Sequence, residues 1–129
     1  MRNKNLSALL LSGMAACAGL SGCGPYKGTA TAFLSWHIVD PRDPDPLTAP
    51  QYSCEQKSVA TVRLLLSNNE LFDFPCNRYV GETTTPVPAG NYTVDVLAIG
   101  YNGLVLSQQR FTARLFGRTD LGHIIFQSY

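Results

Sequence analysis

Two histidines, His37 and His123, are the side chains of this sequence best suited to proton transfer near neutral pH. A hydrolase would place an activated serine or cysteine beside one of them. The chain after residue 22 lacks the Gly-x-Ser-x-Gly turn that presents a nucleophilic serine in many hydrolases. Each histidine lies in a segment of alternating residue types, which is typical of a strand. We therefore interpret both as strand residues and expect a protein that is not an enzyme.

Three carboxylates, Asp40, Asp43 and Asp45, lie close together in a run that has four prolines between Pro41 and Pro50. Carboxylate oxygens are ligands that Ca²⁺ prefers. The spacing is not that of an EF-hand, however, and Arg42 offsets part of the negative charge. A solvated, proline-stiffened loop is the favoured interpretation, and a calcium site is the alternative. We expect no cofactor.

The first 22 residues have the composition of an export signal. Arg2 and Lys4 precede an uncharged, mostly apolar run from Leu6 to Leu20, and small residues follow it. This order is that of a secretory signal peptide. The apolar run is shorter than the roughly 20 residues that span a bilayer, so a permanent transmembrane helix is the weaker interpretation.

The four residues Leu20-Ser21-Gly22-Cys23 resemble the lipobox of bacterial lipoproteins. The resemblance implies that residues 1–22 are removed, that Cys23 carries lipid, and that residues 23–28 are a lipidated cysteine with a short tether. Acyl chains of this kind hold a protein stably at a membrane. Gly24 stands where an aspartate favours retention in the inner membrane, so the resemblance implies a cell-envelope protein of the outer membrane.

Two alternatives to lipidation at Cys23 stay open, namely an ordinary signal peptide with an unmodified cysteine and a lipobox that ends at Cys17. In the main interpretation Cys17 leaves with the signal and Cys23 is modified, so Cys54 and Cys76 remain. An even pair of cysteines in an exported domain is typical of a disulfide. Redox catalysis and zinc binding are weaker interpretations, because the sequence has no Cys-x-x-Cys and two sulfur ligands do not make a zinc site.

Removal of residues 1–22 from the 129-residue chain leaves 107 residues, a common size for one domain. These residues carry eight basic and nine acidic side chains, which gives a formal charge of about −1. No basic stripe is present, so the sequence gives no indication of nucleic-acid binding.

Short segments with period-two alternation dominate residues 29–129. In the first of them, Thr29–Val39, small and apolar residues share one face with Trp36, which is therefore a predicted core residue. No segment of ten or more residues has convincing helical periodicity. Further strands are predicted at Val59–Leu66, Leu71–Phe74, Tyr79–Thr85, Asn91–Ile99, Leu104–Leu115 and Leu121–Phe126.

Turn residues separate these strands. Ser67–Glu70 and Asn102-Gly103 are predicted hairpin turns, and Gly117–Asp120 is a predicted turn before the last strand. The first of these turns predicts that Cys76 lies opposite Thr61. The alternation slips between residues 106 and 111, which predicts a β-bulge.

The segment Val87–Val96, followed by Gly100-Tyr101, is similar to a pattern in carboxypeptidase-regulatory-like, transthyretin-like and PEGA-type modules. The resemblance covers residues 83–127 and implies a prealbumin-like fold in which the ring of Tyr92 packs while its hydroxyl reaches the backbone. Together with the strand pattern it predicts an all-β chain, with a single antiparallel β-sandwich of about seven strands over residues 29–129.

Three aromatic residues, Tyr79, Tyr101 and Phe116, lie near predicted turns, where aromatic side chains can stack on sugars or contact a protein. Aromatic residues at such places are more often part of the core. The main functional hypothesis is a non-catalytic, lipid-anchored interaction or structural module with an envelope protein as partner. The alternative is a carbohydrate-binding module that uses these aromatics, and exposed strand edges could also bind another chain by β-augmentation.

Overall fold

The computed structural model describes residues 28–43, 45 and 50–129. The predicted signal peptide, Cys23 and residues 24–27 of the tether lie outside the described residues. Within those residues, no helix is both long enough and apolar enough to cross a membrane. The described strands are β1 (Thr29–Val39), β2 (Val59–Leu66), β3 (Leu71–Pro75), β4 (Val80–Glu82), β5 (Val87–Pro88), β6 (Gly90–Gly100), β7 (Val105–Leu115) and β8 (Gly117–Gln127), with a short 3-10 helix at Cys76–Arg78.

Two sheets pack face to face. Sheet A has β1 at its centre, with β4 and β5 along one edge and β8 along the other, and sheet B has the strand order β3-β2-β6-β7. The predicted all-β sandwich is confirmed. One feature differs from an all-antiparallel sandwich, because β1 and β8 run parallel from Ala30 opposite Gly117 to Val39 opposite Gln127.

The core lies between the inner faces of β1, β2 and β6. Trp36 is 1% exposed, as predicted, and packs near Phe74, with 6.2 Å between ring centroids. Its indole Nε1 donates a hydrogen bond of 2.9 Å to the carbonyl oxygen of Cys76. The alternation predicted for β1 and β6 is also found, since the buried residues include Ala30, Ala32, Leu34, Ile38, Tyr92, Val94, Val96 and Ala98.

The two ends of the sandwich carry different parts of the chain. The amino-terminal end carries Gly28, the turn at Ser67–Glu70 and the segment Leu115–Gly117. In that segment Leu115 pairs with the first residue of β6, and Gly117 pairs with Ala30 near the start of β1. The distal end is defined by the β6–β7 turn at residues 101–104 and by Val39 with its partner Ser128. The eleven residues of β6 separate the two ends by about 35 Å.

Two local predictions need correction. Thr61 pairs with Pro75 and not with Cys76, because the β2–β3 loop has three residues, Ser67 to Asn69, one more than predicted, and ends with Asn69 in a left-handed conformation (φ 72°). Residues 117–120 are not a turn but the start of β8, since the chain reverses at Gly117 with φ 60°. The predicted β-bulge of β7 is present, and its extra residue is Leu106, because Val105 pairs with Ile99 and Ser107 with Ala98.

Candidate functional site

Cys54 and Cys76 form a disulfide at the distal end, with 6.0 Å between their Cα atoms. Both residues are 1% exposed. The bond joins the loop before β2 to the 3-10 helix after β3. The predicted disulfide is therefore present, and its burial within the core indicates that its role is structural.

The three predicted binding aromatics do not share a surface. Tyr79 is half-buried, and its hydroxyl oxygen accepts a hydrogen bond of 3.1 Å from the Cys54 backbone N–H. Tyr101 lies in the turn at the distal end, whereas Phe116 lies at the amino-terminal end, one residue after β7. A sugar could not stack on all three rings at once, so their placement gives no support to a carbohydrate site built from them.

The carboxylates of the proline-rich loop also differ from one another. Asp40 is 5% exposed, and its oxygens accept hydrogen bonds from Arg42 Nε at 2.8 Å and from Lys57 Nζ at 3.0 Å. The Asp40 carboxylate is therefore already paired with two cationic side chains. Asp43 has a buried Oδ2 without a hydrogen-bond partner, and Asp45 is exposed. Within the described residues, no three acidic, His or Cys side chains are grouped closely enough to hold a metal ion.

Asp40 gives a prediction for stability against pH. Hydrogen bonds from Arg42, and a further one from Lys57, hold the pKa of the Asp40 carboxyl well below its usual range. A lowered pKa in the folded state stabilises the protein above the unfolded pKa of about 3.9, and this stabilisation is lost as the pH falls further. We expect Asp40→Asn to lower the urea midpoint at pH 7, and the difference from wild type to shrink below about pH 4.

The measurement is urea unfolding followed by Trp36 fluorescence. Asp73→Asn is a matched control, because Asp73 accepts hydrogen bonds from Arg63 in an ion pair whose side chains are 42% and 36% exposed. Exposed pairs of this kind contribute about 0–1 kcal/mol. An equal loss in the two variants at pH 7 would contradict the role assigned to Asp40.

The two histidines meet on the outer face of sheet A. His37 of β1 and His123 of β8 have ring centroids 4.7 Å apart, and His37 Nδ1 lies 2.5 Å from His123 Nε2. Ser35 Oγ lies 2.7 Å from the other nitrogen of the same ring, His123 Nδ1. The result is a continuous hydrogen-bond chain of Ser35, His123 and His37 across two parallel strands.

A bulge in β8 produces this chain. Phe33 pairs with Asp120 and Ser35 with His123, so Leu121 and Gly122 together stand opposite Leu34. Gly122 has φ 93°, a conformation that glycine adopts without strain. Without the extra residue, His123 would fall opposite Trp36 and face the core. The alternating residue pattern predicts both histidines in strands but does not bring them together, and a glycine within a strand is the one signal of the bulge.

A groove of about 380 Å³ lies beside this chain, at the edge formed by β3 and β4. Arg118 crosses it, with its guanidinium carbon 4.0 Å from the Phe33 ring centroid and its Nε 3.0 Å from Glu82 Oε2. Gly81 allows the Phe74 ring to pack directly against the β4 backbone in this groove, because a Cβ atom at residue 81 would come within 2.7 Å of that ring. The groove is lined by Phe33, Phe74, Pro75, Arg78, Val80, Gly81, Glu82 and Arg118, and so does not include Ser35 or either histidine.

A cluster of exposed apolar side chains forms the distal tip, which we define as Tyr101, Leu104, Val105 and Leu106. Their exposed fractions are 69%, 62%, 52% and 38%. The tip belongs to β7 and to the turn before it, and β7 is the edge strand of sheet B. Apolar side chains grouped on an exposed edge are typical of interaction surfaces.

Comparison with known proteins does not assign this chain to a group. No family model matches the sequence, and no related sequence was found among curated proteins.

Proposed function

We propose that this protein is a non-catalytic, lipid-anchored interaction module of the bacterial cell envelope, and that a protein partner binds its distal tip. The observation that carries the proposal is the position of the tip. Its four apolar side chains are exposed at the end of the sandwich opposite Gly28, where the tether enters.

Lipidation at Cys23, of the kind that outer-membrane lipoproteins carry, would keep the amino-terminal end of the domain near the membrane. Residues 24–28 span at most about 18 Å when fully extended. The tip lies about 35 Å further along the strands. In the proposed arrangement the strands stand away from the bilayer, and the tip faces a partner and not the lipid that holds the protein.

The placement of the polar side chains supports a non-catalytic module. The Ser35 hydroxyl lies in the middle of β1, on an open sheet surface outside the groove. A serine nucleophile needs a substrate held against it and donors for the developing negative charge. The open surface around Ser35 gives a substrate little to bind.

The finer fold assignment is also a proposal. We infer that the domain is related to the carboxypeptidase-regulatory-like and transthyretin-like modules, and that it has a prealbumin-like fold. Tyr92 supports this inference, since its ring is buried and its hydroxyl donates a 2.5 Å hydrogen bond to the Pro88 carbonyl oxygen. The sequence resemblance implies this use of the tyrosine.

A photo-crosslinking experiment in native membranes tests the function. In one variant a photoreactive amino acid replaces Leu104 in the tip. In a second variant the same photoreactive amino acid replaces Thr112, an exposed position of β7 near the amino-terminal end. We expect a discrete protein adduct from position 104 and none from position 112. Because the adduct depends on the tip, Tyr101→Ser should reduce it by at least about tenfold, the loss expected for a buried aromatic contact of an interface.

Leu71→Ser is the matched control, because Leu71 is 47% exposed but lies at the amino-terminal end in β3. It should leave the adduct unchanged. Adducts with lipid alone, or equal adducts from positions 104 and 112, would contradict the proposal. A separate arm tests the anchor: Cys23→Ser should move the protein to the soluble fraction, and persistent membrane association would exclude lipidation there.

A further inference from the structure

We propose that His37 and His123 form a binding site for a divalent transition-metal ion, Cu²⁺, Ni²⁺ or Zn²⁺, on the outer face of sheet A. The proposal is independent of the distal tip and its partner. It rests on the distance between two imidazole nitrogens, on the bulge that brings them together, and on the serine that orients one of the rings.

The nitrogen atoms are close to the spacing that one ion requires. His37 Nδ1 and His123 Nε2 are 2.5 Å apart. Two nitrogens bound to one zinc ion at about 2.0–2.1 Å, with angles near 90–110°, are about 3 Å apart. A small rotation of either side chain supplies the difference, and both side chains have room for it, since His37 is half-buried and His123 exposed.

The hydrogen bond from Ser35 prepares His123 as a ligand. With Ser35 Oγ 2.7 Å from Nδ1, the ring can carry its proton on Nδ1 and donate it to the hydroxyl oxygen. The lone pair is then on Nε2, the atom that faces His37. Histidine ligands usually donate their second N–H to a neighbouring acceptor in this way, which fixes both the tautomer and the orientation of the ring.

The backbone supports the site as well. His123 would face the core without the extra residue at Leu121-Gly122, so the bulge sets the position of one ligand. Bulges often redirect a side chain at a functional position. The other ligand is fixed by the regular ladder of β1, in which His37 pairs with Ile125.

The charge around the histidines also suits a cation. His37 binds through Nδ1 once the proton that this atom shares with His123 Nε2 has moved to His37 Nε2, the other nitrogen of the same ring. The same sheet face carries Asp120 of β8 and the paired Glu82 and Arg118, and the neutral Gln109 of β7 donates to the Ile125 carbonyl oxygen.

These two histidines provide two of the ion's coordination positions. No third His, Cys, Asp or Glu completes a group of three among the residues that the structure describes. The remaining positions are therefore left to water or to a donor from another molecule. Imidazole ligands favour Cu²⁺ over Ni²⁺ and Zn²⁺, as the usual order of divalent affinities predicts.

The test is a titration of the full chain, purified in detergent without a polyhistidine tag, with Zn²⁺ and separately with Cu²⁺. NMR of the imidazole nitrogens follows Zn²⁺, and electron paramagnetic resonance follows Cu²⁺. We expect both imidazoles to respond together at one ion per chain, and nitrogen couplings from two rings in the copper spectrum. Binding should weaken between pH 7.5 and pH 5.5, because protons compete for the same nitrogens.

Four variants separate a chelate from two independent surface histidines. His37→Gln and His123→Gln should each lower the affinity by at least tenfold, and Ser35→Ala by about tenfold, because it frees the ring without removing a ligand. The double variant His123→Gln/Thr112→His keeps two histidines but places them in different sheets, so its affinity should match that of His123→Gln. Circular dichroism checks that each variant is folded.

Three results would overturn the proposal. They are wild-type affinity in the single-histidine variants, wild-type affinity in the relocated double variant, and no saturable binding by the wild-type protein. The last result would leave His37 and His123 as a hydrogen-bonded pair alone.

Discussion

Trp36→Ala should lower the free energy of unfolding by about 3–5 kcal/mol, the range for truncating a large buried aromatic side chain. Trp36 is 1% exposed at the centre of β1, so the variant leaves a cavity between the sheets. It also leaves the Cys76 carbonyl oxygen without the indole donor. Domains of this size are stable by about 5–15 kcal/mol, so the loss is a large share of the total. Urea unfolding followed by far-UV circular dichroism measures it, since the variant has no tryptophan.

Trp36→Phe is the companion variant. It keeps most of the buried ring and removes the hydrogen bond to Cys76, so we expect a loss of about 1–3 kcal/mol. This variant keeps the comparison measurable if Trp36→Ala does not fold. A loss below about 1 kcal/mol for Trp36→Ala would show that the two sheets do not depend on this side chain.

Reduction of the Cys54–Cys76 disulfide should cost about 3 kcal/mol of stability. The two cysteines are 22 residues apart, and a cross-link over a loop of this length restricts the unfolded chain by about that amount. The double variant Cys54→Ala/Cys76→Ala should show the same loss without reductant. Alanine is preferred to serine because both positions are 1% exposed and a hydroxyl would be buried there.

Urea unfolding with and without a reducing agent measures the loss in the wild-type protein. Mass mapping without reduction should find the peptides of Cys54 and Cys76 joined. The double variant is the control for the reagent, since a reducing agent should not change its midpoint. Identical midpoints for oxidised and reduced wild-type protein would contradict the expected contribution.

Much of the fold follows from local patterns in the sequence. The alternation in Thr29–Val39 predicts the buried face that contains Trp36, because successive side chains of a strand point to opposite sides. The alternation of β6 predicts its buried face for the same reason. The even pair of cysteines, Cys54 and Cys76, that remains after the predicted signal peptide predicts a disulfide, which the structure contains.

The arrangement around His37 and His123 could not be predicted in the same way. Their sequence separation is 86 residues, and the parallel pairing of β1 with β8 depends on how the whole chain crosses between sheets. The bulge at Gly122 then decides which face His123 occupies. A one-residue change in strand register reverses the faces, so no local pattern determines which face carries His123.

The opposite placement of Tyr101 and Phe116 has a similar origin. Tyr101 precedes β7 and Phe116 follows it, so in the sequence both are aromatic residues beside a predicted turn. Pairing along the full length of β6 separates them, because residues at the two ends of an eleven-residue hairpin cannot meet.

The parallel pairing of β1 and β8 has a mechanical consequence. Gly28 leads into the start of β1, and the end of β8 lies beside Val39 at the other end of the sandwich. Tension between these points pulls the two strands past each other along their length. Such shear loads the ladder from Ala30 to Val39 all at once, whereas peeling would break its hydrogen bonds one after another. The fold is therefore suited to resist a pull applied between the start of β1 and the end of β8.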